Sequence, residues 1–223
     1  MRSGPAALNL GAPVTIKGQA PLLLAIDCST SACTAALFTP DGALLAQRDE
    51  LIGRGHAERL VPMIDELLAG RTPTEILVGT GPGSFTGLRV AIAAAHGLAI
   101  GWGAALHGMP SLALLAASAP GEEPVVATMA GGHGELFVQS FDRSPFAATS
   151  AALNLAPCDA AAAFPAGTPV GSGATTLAEA RGETAPATLV PTASAALRLP
   201  PALRTLAPAP LYVRAPDAQP RAA

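Results

Sequence analysis

Charged residues are scarce in this sequence, and lysine is almost absent. Only 13% of the 223 residues are charged, thirteen basic residues stand against sixteen acidic ones, and Lys17 is the only lysine. The arginines are scattered from Arg2 to Arg221 and form no cluster of the kind that neutralises a phosphate backbone. We therefore expect this chain not to grip nucleic acid by itself.

Cysteine and histidine are too scattered to suggest a metal site. Cys28, Cys33 and Cys158 form an odd set without metal-ligand spacing, and no two histidines are four residues apart, as a helical ligand pair requires. No secretory signal precedes the cysteines, so reduced thiols in a cytoplasmic protein are expected. Cys28 follows an apolar strand and is expected to be an inert small hydrophobe, not a nucleophile.

A long apolar run is also missing. The longest one, residues 90–106, is shorter than the roughly 20 residues of a membrane span, and it is interrupted by His96 and by glycines. Hydrophobic residues nevertheless make up 50% of the chain, much of this being alanine. The composition therefore predicts a globular protein without a membrane span.

The spacing of apolar residues predicts a first lobe over residues 21–121. Residues 1–20 show no sustained period, and we expect them to form a disordered leader outside the fold. The predicted strands cover residues 22–27, 33–39, 43–48 and 76–79, with another near Leu106, and the predicted helices cover residues 56–68, residues 86–100 and a segment opened by Ser111. Pro62 is expected to kink the first helix or to lie in its first turn.

A smaller second lobe is predicted over residues 122–214, followed by a tail over 215–223. It contains a predicted hairpin of residues 125–129 and 135–141, a strand ending at Val170, a helix over 175–181, and a helix over 194–206 that is broken at Pro200 and Pro201. Because the element order mixes hairpins with crossover helices, the fold class is α/β with mixed sheets flanked by helices.

The strongest local signal is the stretch GTGPGSFTG at residues 79–87, between a predicted strand and a predicted helix. Free N–H groups at such a place can cradle a phosphate. The spacing fits neither the dinucleotide-binding pattern nor a P-loop, because Ser84 stands where a third glycine belongs and no glycine-lysine pair exists. A tight strand-to-helix turn is the alternative, and the spacing alone favours it.

Asp27 presents a similar choice between binding and structure. It ends the first strand and precedes Ser29, so it could hold a metal or a phosphate, or it could cap a turn. The lack of a neighbouring carboxylate or lysine favours the turn. Neither Ser84 nor Ser172 has the flanking glycines of a G-x-S-x-G nucleophile elbow. We therefore assign no catalytic residue.

Small residues recur every four positions along the second helix, at Ala93, Gly97 and Gly101. Such a strip lets a neighbouring helix approach closely. The neighbour is either another chain or this protein's own sheet or first helix, and periodicity leaves both open. If the strip is exposed, it predicts a homodimer in isolation.

Three stretches together resemble the TsaB family. They are LAIDCST at residues 24–30, His56 with LVPMI at residues 60–64, and GPGSFTGLR at residues 81–89. The resemblance continues more loosely with Gly134–Glu135, VGSG at residues 170–173 and PLYVR at residues 210–214. It implies a two-lobed, actin-like ASKHA fold related to ribonuclease H, with a reduced second lobe.

The function implied by the resemblance is that of a non-catalytic subunit. Such a protein binds and supports the catalytic paralogue TsaD, with the ATPase TsaE, in the complex that forms N6-threonylcarbamoyladenosine next to the anticodon of tRNAs. ATP and metal are then expected on the partner subunits, this chain carries no cofactor, and tRNA is contacted only indirectly. In the catalytic relative a helical H-x-x-x-H pair binds metal, whereas here Leu60 follows His56 at that spacing.

The resemblance also implies site residues. The partner interface on the two first-lobe helices would include Leu60, Met63, Ile64, Arg89, Ala93 and Gly97. Vestigial phosphate or nucleotide loops would include Asp27, Ser29, Gly81, Gly83, Ser84, Gly171 and Gly173. One departure is the sequence at residues 130–133, AGGH, where relatives often carry Asp-Ala-Arg before the Gly-Glu.

Two other functions remain open. An active small-molecule kinase or ATPase of the same fold would use Asp27 and the two glycine loops, but the single lysine and the reduced second lobe argue against it. A glycoprotease would need the metal pair that this chain lacks.

Overall fold

The computed structural model describes residues 20–184 and 186–213. Its first sheet has five strands in the order β3-β2-β1-β4-β5, with β1, β4 and β5 parallel and with β2 antiparallel to both β1 and β3. The strands are β1 (Leu23–Asp27), β2 (Ala32–Phe38), β3 (Leu44–Leu51), β4 (Glu75–Gly79) and β5 (Ala105–Met109). The predicted tail, and the predicted leader except residue 20, lie outside the described residues.

Both faces of the first sheet are covered, which explains why its central strands are continuous apolar runs. Leu24 and Ile26 face one side of the sheet, whereas Leu23 and Ala25 face the other. The first side is covered by α1 (His56–Leu68) and α2 (Phe85–Trp102), and the second by α3 (Ser111–Ser118).

The second sheet is also mixed, but most of its strands are shorter. Its order is β10-β6-β7-β8, with β9 also paired to β7, and β10 is parallel to β6 while the other pairs are antiparallel. The elements are β6 (Val125–Ala130), β7 (Leu136–Arg143), β8 (Phe146–Ala148), β9 (Leu153–Leu155), α4 (Pro157–Ala163), β10 (Thr168–Val170) and α5 (Ala174–Arg181). The predicted fold class, mixed sheets flanked by helices with a reduced second lobe, is confirmed.

The helix α3 is shared by both lobes. Every residue from Ser111 to Ala117 is buried, and one hydrophobic core joins α3 to the inner faces of both sheets. A separate small core lies between the outer face of the second sheet and the helices α4 and α5. The molecule is therefore layered as α1 and α2, first sheet, α3, second sheet, and α4 with α5.

The end of the described chain returns to the first lobe. Instead of the predicted helix over 194–206, two short 3-10 segments cover Ala193–Arg198 and Pro201–Leu203. The backbone N–H of Ala193 donates to the hydroxyl of Thr34 on β2, and the guanidinium of Arg198 donates to the carbonyl of Ala117 on α3. Because Pro200 and Pro201 lack backbone N–H groups, a continuous α-helix cannot form there.

The remaining differences from the sequence predictions are small. Pro62 lies in the interior of α1, which continues on both sides of it, and not in the first turn. The strands β8 and β9 and the helix α4 were not predicted, because they are only three to seven residues long and carry little periodic signal. Among the described helices, only α2 reaches the length and mean hydropathy, 1.2 over 18 residues, of a membrane-crossing segment.

Candidate functional site

A buried carboxylate holds three elements together at the carboxyl end of β1. Asp27 is 1% exposed, and its Oδ1 accepts hydrogen bonds from the backbone N–H and the hydroxyl of Ser29, at 2.8 and 2.6 Å. Its Oδ2 accepts a hydrogen bond from the hydroxyl of Ser111, at 2.6 Å. Asp27 therefore links β1, the turn before β2 and the first residue of α3.

The pKa of Asp27 is raised above its ordinary value of 3.8, because burial disfavours the charged form. Hydrogen bonds from Ser111 and Ser29 oppose this shift, as does the charge of His56 to a smaller degree. Gly79 leaves room for the carboxylate, since a Cβ atom at that position would lie 1.9 Å from Oδ2 of Asp27.

Several N–H groups of the glycine-rich loop are hydrogen-bonded within the protein. The N–H of Gly81 donates to the hydroxyl of Ser111 at 3.0 Å, and the N–H of Ser84 donates to the carbonyl of Ser29 at 2.7 Å. The hydroxyl of Ser84 caps α2 by accepting from the N–H of Gly87 at 3.2 Å. These donors are already paired, so the geometry matches the tight strand-to-helix turn.

Glycine is required in this loop for close packing. A Cβ atom at Gly83, where φ is +155°, would lie 2.2 Å from the carbonyl oxygen of Ser29, and one at Gly87 would lie 2.1 Å from that of Cys28. The loop therefore lies directly on the turn between β1 and β2. The structure thus brings together five of the predicted loop residues, Asp27, Ser29, Gly81, Gly83 and Ser84.

The second glycine-rich loop, residues 170–173, lies in the other lobe. It is also hydrogen-bonded and closely packed within the protein. The N–H of Gly173 donates to the carbonyl of Thr128 at 3.0 Å, and the hydroxyl of Ser172 accepts from the N–H of Ala130 at 3.1 Å. A Cβ atom at Gly171 would lie 2.3 Å from the Thr128 carbonyl oxygen. Gly171 and Gly173 therefore pack against β6 and not against the Asp27 cluster.

Both first-lobe helices are tied at their N-termini to the turn between β1 and β2. Nε2 of His56, the first residue of α1, lies 2.9 Å from the carbonyl oxygen of Thr30, and Ser84 holds α2 to Ser29 as described above. His56 is buried, and Leu60 occupies the position four residues later with no exposed surface. Within residues 20–184 and 186–213, no three His, Cys, Asp or Glu side chains are placed to hold a metal ion.

The predicted partner interface is only half exposed. Leu60, Met63 and Ile64 are buried in the core between α1 and the first sheet, so the prediction that they lie on the interface is wrong. Their apolar period marks the face of α1 that packs on its own sheet. Arg89 and Ala93, in contrast, are exposed on α2.

Gly97 and Gly101 lie on the same exposed side of α2. A Cβ atom added at either position would meet nothing within 4 Å. Ile100, between them, is 77% exposed. The strip of small residues therefore faces away from the protein's own sheet and first helix, so these are not the neighbour that periodicity left open.

An aromatic cluster lies beside this strip at the start of α2. The guanidinium of Arg89 lies 3.7 Å from the centre of the Phe85 ring and donates to the hydroxyl of Tyr212 at 3.3 Å. The rings of Phe85 and Tyr212 are 6.1 Å apart, and both side chains are more than half exposed. Sequence reasoning missed Tyr212 and Ser111 as site residues, because each joins the site from a distant part of the chain.

Two of the three thiols are buried as a pair, and the third is exposed. The sulfur atoms of Cys28 and Cys33 are 3.1 Å apart and both side chains are buried, whereas Cys158 is exposed on α4. The hydrogen bond with Cys33, together with burial, raises the pKa of Cys28. A thiol held in its neutral form is a poor nucleophile, so the inert role expected for Cys28 stays the favoured interpretation.

The altered sequence before Glu135 forms a short 3-10 turn, Gly132–Gly134, between β6 and β7. His133 adopts a left-handed conformation, with φ at +62°, and the N–H of Gly131 closes the turn on the carbonyl of Glu135 at 2.7 Å. The predicted hairpin at this place is confirmed.

Comparison with known proteins gives a consistent result. The family model described as "TsaD: tRNA N6-adenosine threonylcarbamoyltransferase" matches residues 49–150. The tRNA threonylcarbamoyladenosine biosynthesis protein TsaB of Escherichia coli is 37% identical over 129 residues, 54% of this chain and 55% of the relative. TsaB of Haemophilus influenzae is 46% identical over 84 residues, 35% of each. The matches thus span about half or less of these curated relatives.

Solved structures extend the similarity over more of the chain. YeaZ from Pseudomonas aeruginosa is 30% identical with a TM-score of 0.69, and the alignment covers 80% of this chain and 89% of YeaZ. A second structure, of an uncharacterized Pseudomonas aeruginosa protein with similarity to peptidase YeaZ, is 29% identical with a TM-score of 0.70. That alignment covers 87% of this chain and 100% of the other. Both lobes therefore share the YeaZ architecture.

Proposed function

This chain belongs to the TsaB (YeaZ) family, and on that basis we propose that it acts in the biosynthesis of tRNA threonylcarbamoyladenosine as a non-catalytic subunit. It binds and supports the catalytic paralogue TsaD, and the ATPase TsaE joins the complex. The complex as a whole modifies the adenosine next to the anticodon. The names of the curated relatives support the pathway.

The observation that carries the proposal is the exposed strip on α2. Ala93 and Gly97 present a surface without bulky side chains, and no part of the described chain fills the space above Gly97. Small residues at this spacing allow two helices to approach closely. An exposed apolar surface of this kind is typical of a protein that binds another chain.

The state of the glycine loops supports a role without nucleotide chemistry. The N–H groups of Gly81, Ser84 and Gly173 are paired with groups of the protein itself. A phosphate bound to these three N–H groups would have to displace these bonds. The proposal therefore leaves ATP and metal on the partner subunits, and the scattered arginines favour an indirect contact with tRNA.

The alternative is a small-molecule kinase or ATPase, and Asp27 is its strongest feature. Three donor groups from Ser29 and Ser111 already occupy the oxygens of this carboxylate, which favours a structural role. The alternative predicts that the purified chain turns over ATP and that Asp27→Ala abolishes this turnover. Turnover by the wild type that is lost in this variant would replace our proposal.

The proposal is tested by co-expressing this chain with TsaD from the same organism. We expect the two chains to co-purify and, with TsaE, to modify unmodified tRNA in an assay that fails when this chain is omitted. Separate elution of the two chains, together with full modification in the absence of this chain, would overturn it.

Two further expectations follow from the same surface. Without TsaD, the exposed face of α2 is expected to pair with a second copy, because contiguous apolar surface is covered where a match is available. Light scattering that shows only monomer at high protein concentration would contradict this. The proposal also places the chain in the cytoplasm, where its tRNA is modified.

A further inference from the structure

The last described residues form a strap along one side of α2. We define the C-terminal strap as residues 206–212. Leu206 and Gly108 exchange two backbone hydrogen bonds at the edge strand β5, and the N–H of Leu211 donates to the carbonyl of Thr80 at 2.8 Å. Between these points Nε2 of His96 lies 3.2 Å from the carbonyl oxygen of Pro208. The strap is therefore fixed to the first lobe at both ends and in the middle.

The contacts of the strap fall on a single line along the helix. With 3.6 residues per turn, Phe85, Arg89 and His96 lie within about 40° of one another around the axis of α2. Arg89 and Phe85 contact Tyr212, and His96 contacts Pro208. The strap thus runs nearly parallel to α2 along one edge of its exposed surface.

The strip of small residues lies just beside that line. By the same geometry Ala93 and Gly97 are about 80° and 120° around the axis from Phe85. Ala94 and Leu98, farther around at about 180° and 220°, are partly buried in the core that α2 shares with α1. The strip is therefore bounded by the strap on one side and by α1 on the other. We call this strip between its two borders the docking groove.

We propose that the C-terminal strap forms a wall of the docking groove and contacts the helices of the partner directly, with Tyr212 as the central contact. The proposal rests on the proposed function, since the occupant is the catalytic paralogue TsaD. Tyr212 is 55% exposed and Leu211 is 44% exposed, so the strap presents apolar surface next to the floor of the groove. Tyrosine in such a position is typical of residues that contribute strongly to binding.

The comparison with the TsaD family explains why this occupant fits. The TsaD family model matches residues 49–150, a range that contains both α1 and α2, so the paralogue is expected to carry equivalents of the two helices. Two related chains can then pair about an approximate twofold axis. In such a pair with the axis parallel to α2, the α1 side of one groove faces the strap side of the other.

The charges at the two sides of the groove match this arrangement. The α1 side exposes the carboxylates Glu58 and Asp65, whereas the strap side exposes the cation Arg89. Opposite charges on opposite sides favour one orientation of docking for a related chain that carries the same pattern of charges. Tyr212 holds Arg89 in place through its hydroxyl and fixes one of these charges.

The test is a labelling experiment on the complex of this chain with TsaD. The variant Tyr212→Cys carries an exposed thiol on the strap, while the native Cys158 on α4 is an exposed internal control and Cys28 and Cys33 are buried. We expect TsaD to slow maleimide labelling at position 212 at least about tenfold without changing the rate at Cys158. Equal rates at position 212 with and without TsaD, in a complex seen by gel filtration, would overturn the inference.

Affinity measurements provide a second test of the strap, independent of labelling. Truncation of Tyr212 to alanine is expected to weaken binding of TsaD about tenfold or more, as for a typical interface tyrosine. The control Leu153→Ala removes a partly exposed apolar side chain from β9 in the second lobe and is expected to leave the affinity unchanged. If Tyr212→Cys prevents formation of the complex that the wild type forms, the proposed contact between the strap and TsaD is supported. If the wild type itself does not bind TsaD, the proposed function fails. If Tyr212→Ala and the wild type bind TsaD with equal affinity, only the proposed role of the strap is overturned.

Discussion

The helices α1 and α2 lie side by side on the same face of the first sheet, yet they present opposite kinds of surface. The helix α1 buries large side chains against the sheet and exposes the carboxylates Glu58, Asp65 and Glu66 beside a few apolar residues. The helix α2 packs on the sheet largely through alanine and leaves small and apolar residues exposed. The buried side chains of α1 are His56, Leu60, Met63, Ile64, Leu67 and Leu68, and the buried residues of α2 are Gly87, Leu88, Ala91, Ile92, Ala95 and Ala99.

This difference teaches that an apolar period does not identify a docking surface. Leu60, Met63 and Ile64 carry the stronger periodic signal, but that signal records packing on the protein's own sheet. The proposed docking face is marked instead by the small, exposed residues Ala93 and Gly97. On this basis we propose that α1 contributes mainly to stability and α2 mainly to partner binding.

The largest effect is expected from Leu60→Ala, which tests the role of α1. Removing a buried leucine leaves a cavity and lowers the free energy of unfolding by about 3 kcal/mol. The neighbouring Val61→Ala is the control, since Val61 is 46% exposed and its loss is expected to cost less than about 0.5 kcal/mol. Chemical denaturation measures both values. Similar stabilities of the two variants would contradict the role of α1 in stability.

The next largest effect is expected from Gly97→Leu, which tests the role of α2. A leucine side chain on the floor of the groove keeps the partner helix away, so binding to TsaD weakens about a hundredfold, or about 2.8 kcal/mol. The free energy of unfolding of the isolated chain does not fall, because leucine is the better helix former.

The matched control is Gly97→Ala, which adds only a methyl group. It is expected to weaken binding by less than the leucine variant and to stabilise the isolated chain slightly, by about 0.5 to 1 kcal/mol. Titration calorimetry with TsaD measures the affinities. A leucine variant that binds like the wild type would exclude this face as the docking surface.

A smaller, pH-dependent effect is expected from Asp27→Asn, because Asp27 anchors Ser29, to which α2 is tied. The pKa of Asp27 is raised in the folded state, so the native protein binds this proton more tightly than the unfolded chain does. The wild type therefore loses stability relative to Asp27→Asn as the pH rises above about 3.8 towards the raised pKa. The slope is at most about 1.4 kcal/mol per pH unit.

Denaturation of both proteins between about pH 3 and pH 8 measures this difference. Below the ordinary pKa of 3.8 the carboxyl group is protonated in both states, and the difference is expected to be constant. A wild type that gains stability relative to Asp27→Asn as the pH rises would contradict the raised pKa.

The smallest effect is expected from Arg59→Met on the exposed surface of α1. Arg59 pairs with Glu50 on β3 and with Glu66, about two turns further along the helix. Because exposed ion pairs contribute little and the methionine keeps much of the apolar stem, the Tm is expected to fall by no more than about 2 °C. The difference from the wild type is expected to vanish in 1 M salt. A much larger fall would show that α1 depends on its surface charges as well as on its core.

Much of the first lobe could be predicted from the sequence. The β1–β3 meander, the helices α1, α2 and α3, and the glycine turn before α2 each have a local signal of apolar period or of turn residues. The 3-10 segments at the end of the chain were predicted as a helix, because alanine and leucine favour helices locally while Pro200 and Pro201 prevent one. The strands β8 and β9 are too short to give a period.

The sequence by itself determined the family and the order of the main elements, because these depend on local spacing. Only the tertiary structure decided which side of each helix is exposed, that Ser111 completes the Asp27 cluster, and that Tyr212 returns to α2. Ser111 is 84 residues from Asp27, and Tyr212 is 123 residues from Arg89. Periodicity shows that a helix has an apolar face, but only the packing of distant segments decides what covers it.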